Sequence, residues 1–130
     1  MLKEVNVVGA VIVRDGLVLC AQRGPDGALP GLWEFPGGKV EPGESKVDAL
    51  YREIQEELSV ELMIGEELDS STYEYEFAAV TLTTFWCSLS GGEPEKSEHS
   101  ELRWLSPREL HRLEWAPADL PAVTKIRAVL

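Results

Sequence analysis

The sequence predicts an α/β protein, specifically an α/β/α sandwich around a mixed β-sheet. Three observations lead to this prediction: an N-terminal pair of alternating apolar runs, an amphipathic helix after a glycine-rich loop, and a return to strands before a final helix. Residues 1–130 are expected to form a single domain, because this length suits one core and neither a linker nor a repeat interrupts it.

The first half of the chain contains a predicted hairpin and a predicted helix. Residues 5–14 and 17–23 read as two strands, and Asp15-Gly16 between them is a typical hairpin turn. Ser45 and Asp48 have the spacing of a capping box, which places the start of the helix near Lys46. At about 100° per residue, one face of this helix is apolar and is expected to be packed; it carries Val47, Leu50, Ile54 and Leu58, with Tyr51 at its edge.

The second half alternates strands with turns before a C-terminal helix. Strands are predicted at residues 60–64, 69–77, 80–88 and 102–105, followed by a capped helix start at Ser106 and a final helix over 122–129. By strand alternation, two sets of side chains share faces and could form a pocket wall or simply pack in the core: Tyr73, Tyr75 and Phe77, and Leu82, Thr84 and Trp86.

Composition excludes some classes of function. The net charge of −11 argues against a nucleic-acid polymer as partner, because such proteins present a basic surface. The longest apolar run, residues 7–13, is too short to span a bilayer, and the N-terminus does not resemble a signal peptide. Cys20 and Cys87 lack metal-site spacing and are expected to be reduced and buried, which favours a cytoplasmic location.

An acidic cluster on the first helix is the strongest chemical signal. Glu53, Glu56 and Glu57 share one arc, and like charges at this spacing destabilise a helix. The cluster is either a solvated face or a site for Mg²⁺ or Mn²⁺, which prefer hard oxygen ligands. The preceding glycine-rich loop, residues 37–43, favours the metal, because it brings bare peptide groups close to the carboxylates. Arg52 could hold one carboxylate by a bidentate pair.

The loop and helix together resemble a known family. Gly38, Glu44 and the run Arg52-Glu53-Ile54-Gln55-Glu56-Glu57 match the Nudix box of the Nudix hydrolases, except that Ser59 stands where glycine is usual. Residues 21–23, 31–35 and 115–121 are similar to the CTP pyrophosphohydrolases of the MutT-like group. The resemblance implies the same α/β/α sandwich, a small-molecule nucleotide substrate and no membrane partner. The protein is expected to be a monomer or a homodimer.

The resemblance also implies roles for individual residues. Glu53, Glu56 and Glu57 would bind Mg²⁺ with the Gly37 carbonyl, and Glu44 would orient Arg52. Glu53 or Glu98 would accept the proton of the attacking water, with Glu101 in reserve. His99 is expected at the surface.

The remaining candidates concern the substrate, and each has a second interpretation. Arg23 and Lys39 would meet the phosphates or ribose, or would only be solvated. Glu34 lies in the segment that passes the nucleoside pocket, and Phe35, like Trp33, would pack in the core or stack on a base. Asp119 would accept from the cytosine amino group, or cap the last helix.

Three functions therefore compete. The first is Mg²⁺-dependent hydrolysis of a nucleoside triphosphate to a monophosphate and pyrophosphate, with CTP, dCTP or 5-substituted cytosine nucleotides as substrates. The second is the same reaction on 8-oxo-dGTP, with a protonated Asp119 donating to the modified purine. The third is a nucleotide-binding module that does not catalyse a reaction.

Overall fold

The computed structural model, which describes residues 2–130, begins with the expected hairpin. Strand β1 (Glu4–Arg14) leads into β2 (Leu17–Gln22). Asp15 and Gly16 have φ values of 53° and 77°, the left-handed pair that a two-residue type I′ turn requires. The turn residues of the sequence therefore placed this hairpin correctly.

The sheet is mixed, as predicted. Across residues 2–130 it has seven strands in the order β3-β2-β1-β6-β5, with β4 paired to β1 and β7 paired to β2. The strands after the hairpin are β3 (Trp33–Glu34), β4 (Gly37–Lys39), β5 (Glu61–Glu74), β6 (Ala79–Gly91) and β7 (Glu101–Leu105). Strands β1 and β6 run parallel, whereas the other pairs within these strands are antiparallel.

Helices cover both faces of the sheet, which confirms the sandwich. Helix α1 (Lys46–Leu58) packs on one face, and α2 (Leu120–Val129) packs on the other together with the 3₁₀ segment Pro107–Arg112. Because successive side chains of a strand point to opposite faces, Ala10 and Ile12 of β1 join the core under α1, while Val11 joins the core under α2.

The ends of α1 follow the sequence signals, but its buried face is shifted. The Ser45 Oγ accepts a hydrogen bond from the Asp48 N–H at 3.1 Å. Ser59 adopts the left-handed conformation, with φ 57° and ψ 38°, in which glycine would cost less. The prediction that Val47 is packed is wrong, because its side chain is 46% exposed. The buried residues of α1 begin at Ala49, so the first turn of the apolar face remains partly open to solvent.

Three boundaries in the second half differ from the predictions. The strands expected at 60–64 and 69–77 are one strand, β5, because irregularities in its pairing with β6 around Gly65 and Glu67 absorb the interruption. The helix expected after Ser106 is a short 3₁₀ segment. Helix α2 begins at Leu120, two residues early, because Pro121 is tolerated in a first helical turn.

The structure also bears on the two cysteines and on the length of the helices. Cys20 and Cys87 are free and buried, as predicted, and burial raises the pKa of each thiol to about 12. Within residues 2–130, none of the helices combines the length and apolar character needed to cross a membrane.

Candidate functional site

The glycines of β4 bring the sheet, the loop and α1 together. A Cβ at Gly37 would lie 1.9 Å from the carbonyl oxygen of Val8, and a Cβ at Gly38 would lie 2.2 Å from Oε2 of Glu53. Only glycine therefore lets β4 approach β1 and α1 this closely. The close approach places the Glu53 carboxylate directly against the backbone of the loop.

Arg52 joins carboxylates of the loop and of the helix into one network. Its Nε and Nη2 donate to Oε2 and Oε1 of Glu44 at 2.7 and 2.9 Å, which is a bidentate pair. Its Nη1 donates to Glu53 Oε1 at 2.7 Å and lies 3.5 Å from Glu56 Oε2. Hydrogen bonds from Arg52 and from the Glu41 backbone lower the pKa of Glu44 to about 2. Arg52 thus holds Glu44 and Glu53 in fixed positions.

The protein alone does not stabilise the ionised form of Glu57. Its Oε2 is buried and makes no hydrogen bond within the described chain. Burial, followed by the charges of Glu34, Glu53 and Glu98, raises the pKa of Glu57 to about 8. A hard cation would relieve both the missing contact and the repulsion.

The carboxylates fit Mg²⁺ by chemistry, although they are not gathered into a finished cage. Within residues 2–130, no group of three or more acidic, histidine or cysteine side chains is close enough to hold a metal ion. Glu53 is engaged with Arg52, and the Glu56 side chain is 63% exposed beside it. For all three carboxylates to share an ion, the exposed Glu56 side chain has to turn toward Glu57 and the Glu53 carboxylate has to shift within its pairing with Arg52. Rotamer changes of exposed side chains such as Glu56 are fast.

The raised pKa of Glu57 predicts a pH-dependent stability without metal. The folded-state pKa of about 8 exceeds the ordinary value of 4.5, so the folded protein holds this proton more tightly than the unfolded chain. The stabilisation is complete below pH 4.5 and is lost as the pH rises through 8. In EDTA, we expect Glu57→Gln to gain stability over the wild type between pH 5 and pH 9, by a few kcal/mol at the upper end.

Thermal unfolding at several pH values measures this difference. Glu66→Gln is the matched control, because Glu66 is exposed on β5 and should give a pH-independent difference from wild type. A Glu57→Gln difference that stays constant from pH 5 to pH 9 would contradict the assignment.

A cavity of about 620 Å³ extends from this group across the sheet. Its lining includes all the predicted substrate residues, one predicted catalytic residue and two predicted metal ligands: Arg23, Glu34, Phe35, Lys39 and Asp119, then Glu98, then Gly37 and Glu57. Four predicted residues on the loop and α1 do not line it: Glu44, Arg52, Glu53 and Glu56. The reserve candidate Glu101 is also outside and pairs with Arg103.

Asp119 lies in this cavity and does not cap α2. Its Oδ2 accepts from the backbone N–H of Phe35 at 3.0 Å, and it makes no side-chain hydrogen bond to its own helix. Burial and the charge of Glu34 raise the pKa of Asp119 well above its ordinary range. The capping interpretation is therefore wrong for the side chain. The second carboxyl oxygen makes no hydrogen bond with residues 2–130 and is free for a ligand.

The two nucleoside-segment residues beside Asp119 have defined partners. Glu34 Oε1 accepts from Nη1 of Arg23 at 2.6 Å. The ring of Phe35 is 3% exposed and packs against Trp115 at 4.8 Å between centroids. The ring of Phe35 therefore packs in the core, as one of the two interpretations predicted, and its backbone N–H donates to Asp119.

Sequence reasoning misjudged or missed some residues of the cavity. His99, expected at the surface, is 7% exposed and its Nε2 lies 3.0 Å from Glu34 Oε2. Of the two predicted pocket-wall faces, Tyr75, Phe77 and Leu82 line the cavity, whereas Tyr73, Thr84 and Trp86 do not. Val5 and Val7 of β1 were not predicted, yet strand alternation places them on one face beside Val80 and Leu82 of parallel β6.

The chain is similar to known proteins over nearly its whole length. The NUDIX domain matches residues 3–126. The chain is 41% identical over 128 residues to the CTP pyrophosphohydrolase of Escherichia coli K12, covering 98% of this chain and 95% of that protein. It is 42% identical over 122 residues to the putative 8-oxo-dGTP diphosphatase 2 of Mycobacterium tuberculosis H37Rv, covering 92% and 84%.

This chain is also similar to a solved structure, in both sequence and fold. The solution NMR structure of the DNA mismatch repair protein MutT, a Nudix hydrolase from methicillin-resistant Staphylococcus aureus 252, superposes with a TM-score of 0.81. It is 50% identical and covers 98% of each chain.

Proposed function

This chain belongs to the NUDIX family of hydrolases, and we propose that it hydrolyses nucleoside triphosphates to a nucleoside monophosphate and pyrophosphate with the aid of Mg²⁺. The observation that carries the proposal is the cavity itself, which joins the uncompensated carboxylate of Glu57 to the hydrogen-bonding group of Asp119. One end suits a metal-bound phosphate chain and the other suits a base, as a nucleotide requires.

The residues of the box would hold the metal. Glu53, Glu56 and Glu57, with the carbonyl of Gly37, supply the hard oxygen ligands that suit Mg²⁺ and also accept Mn²⁺. When bound, the metal would supply positive charge to neutralise the phosphate oxygens. Arg52, held by Glu44, pairs with Glu53 Oε1 and so limits how far this carboxylate has to move to reach the ion.

The remaining cavity residues would bind the nucleotide and move the proton. Glu53 or Glu98 takes the proton of the attacking water. Lys39 and Arg23 line the cavity as cations and would contact the phosphates or the ribose. Both are needed near a polyanionic substrate, because the protein as a whole carries a charge of −11 and repels it.

We further propose that the base is cytosine, in CTP, dCTP or a 5-substituted cytosine nucleotide. The free oxygen of Asp119 can accept from the N4 amino group, since Oδ2 is already held by Phe35. Similarity to the CTP pyrophosphohydrolase supports this choice. The alternative is 8-oxo-dGTP, which is favoured by the raised pKa of Asp119: a protonated carboxyl group would donate to an oxidised purine instead.

Two coarser parts of the proposal concern the protein's setting. We place it in the cytoplasm on the basis of its two buried, unpaired cysteines, which suit a reducing compartment. We propose a monomer or homodimer acting on a free nucleotide rather than on a nucleic-acid polymer, because the acidic surface would repel a polymer.

A substrate screen with Asp119→Asn tests the choice of base. Pyrophosphate release is measured for CTP, dCTP, 5-methyl-dCTP, 5-hydroxy-dCTP and 8-oxo-dGTP with Mg²⁺. We expect the wild type to prefer cytosine nucleotides. Asp119→Asn should lower the kcat/KM ratio of CTP to 8-oxo-dGTP by roughly tenfold or more, because the amide offers a donor as well as an acceptor.

The screen also contains the contrary results. An unchanged ratio in Asp119→Asn removes the residue from base recognition. A wild type that prefers 8-oxo-dGTP selects the alternative substrate. Absence of pyrophosphate from every nucleotide in the screen refutes the proposed reaction.

A further inference from the structure

His99 occupies a position that neither its residue type nor the proposed reaction explains. Its side chain is 6% exposed, and its Nε2 lies 3.0 Å from Oε2 of Glu34. Since the carboxylate of Glu34 accepts hydrogen bonds, Nε2 is the donor in this contact. The Nε2–H of His99 is therefore engaged with Glu34.

The other ring nitrogen shows that packing alone does not place the ring there. Nδ1 is buried and has no hydrogen-bond partner within the described chain. A buried polar atom left unpaired destabilises the folded state, whereas an apolar ring of the same shape would not. The hydrogen bond from Nε2 to Glu34 therefore explains why a polar ring occupies this buried position.

Glu34 connects the two loops that border the cavity. Its Oε1 accepts from Arg23 Nη1 at 2.6 Å, and Arg23 Nε donates to the carbonyl of Ala28 at 2.8 Å, which orders residues 24–31. Its Oε2 accepts from His99 in residues 92–100. The loops also touch, because a Cβ at Gly24 would lie 3.1 Å from the carbonyl oxygen of Glu98.

The His99 contact is one of two side-chain anchors on either side of Glu98. Backbone hydrogen bonds from Glu95 N–H to Leu58 O at 3.0 Å and from Ser100 N–H to Gln22 O at 2.9 Å hold the ends of the same stretch. On the N-terminal side, Ser97 Oγ donates to the carbonyl of Glu57 at 2.7 Å, which ties the loop to α1. On the C-terminal side, His99 ties the loop to β3 through Glu34. Glu98 lies between these anchors and lines the cavity. Loss of either anchor would let the carboxylate of Glu98 move relative to Glu57.

We propose that His99 is a positioning residue, which holds the loop carrying Glu98 against the cavity by donating a hydrogen bond to Glu34. Its catalytic consequence rests on the proposed function, in which Glu98 is one of the two candidate acceptors of the water proton. The loop anchoring itself does not depend on any reaction.

Turnover of CTP with Mg²⁺ tests the consequence. His99→Phe keeps the ring and removes the donor, and we expect kcat/KM to fall about ten- to a hundredfold, the usual effect of losing a hydrogen bond to a charged group. His99→Gln retains an N–H at a similar reach and should stay within about threefold of wild type. His111→Phe is the control, because His111 is exposed in the 3₁₀ segment.

Amide hydrogen exchange tests the anchoring independently of activity. We expect residues 95–100 to exchange about tenfold faster in His99→Phe and in Glu34→Ala than in the wild type, and at wild-type rates in His99→Gln. The double variant His99→Phe/Glu34→Ala should exchange no faster than either single variant, because both remove the same hydrogen bond. Equal exchange in His99→Phe and wild type, or equal loss of activity in the Phe and Gln variants, overturns the proposal. A wild type that hydrolyses no nucleotide refutes the proposed function, and the exchange result still decides the role of His99.

Discussion

Replacing Glu53 by glutamine should lower kcat by roughly a thousandfold and leave the protein folded. Glu53 meets Arg52 through Oε1 and faces Gly38 through Oε2, so its carboxylate is both held and close to the loop. Glutamine preserves the shape but removes the charge that would bind the metal and accept the proton. Arg52 keeps its bidentate pair with Glu44, which limits the loss of stability.

Steady-state kinetics with CTP and Mg²⁺, together with thermal unfolding, measure both quantities. Glu66→Gln makes the same chemical change at an exposed position on β5 and should leave kcat and Tm unchanged. If Glu53→Gln turned over within tenfold of wild type, Glu53 would be neither base nor essential ligand. If its Tm fell steeply, the loss of activity would reflect unfolding.

Alanine should lower stability at Gly37 but turnover at Gly38, although the two residues are adjacent. A Cβ at Gly37 would lie 1.9 Å from Val8 O and 2.9 Å from Gly9 Cα, and this backbone belongs to the central strand. Since β1 cannot move aside, we expect Gly37→Ala to lose about 3 kcal/mol of stability. A Cβ at Gly38 meets the end of the Glu53 side chain, which can rotate away. Gly38→Ala should therefore fold, but lose roughly a hundredfold in kcat because Glu53 is displaced.

Urea unfolding and kinetics on the two variants form a matched pair. The stability loss should be confined largely to Gly37→Ala. A Gly38→Ala variant with wild-type kcat would show that the position of Glu53 against the loop does not matter for turnover. Equal stability losses in both variants would show that the backbone near Gly37 relaxes more than the structure suggests.

The elements that local chemistry controls were predictable. Asp15-Gly16 specified the first hairpin, and Ser45 with Asp48 specified the start of α1. The mixed sheet followed from the order of the elements, and the acidic arc on α1 includes Glu57, which lines the cavity. The strand boundary near residues 65–69 was not predictable, because a bulge and a chain break look alike until the partner strand is known.

Burial depended on neighbours far away in the chain. Val47 satisfies the helical periodicity but is 46% exposed. His99 looked like a surface residue because its loop is polar, yet Glu34, which is 65 residues away, holds it inside. Asp119 looked like a helix cap until Phe35 from another element took its carboxylate.

Short-range patterns were thus sufficient for the family, the secondary structure and the carboxylates that suit a metal, since turns, caps and helical periodicity depend on neighbours within a few residues. The cavity had to be built by folding, because its two ends come from β3 and β4 in the first half of the chain, the loop before β7, and the segment before α2. Glu57 and Asp119 become buried, and come close to other carboxylates, only when these segments meet. The burial and the neighbouring charges raise the pKa values of both groups, and each group keeps an oxygen free for a ligand.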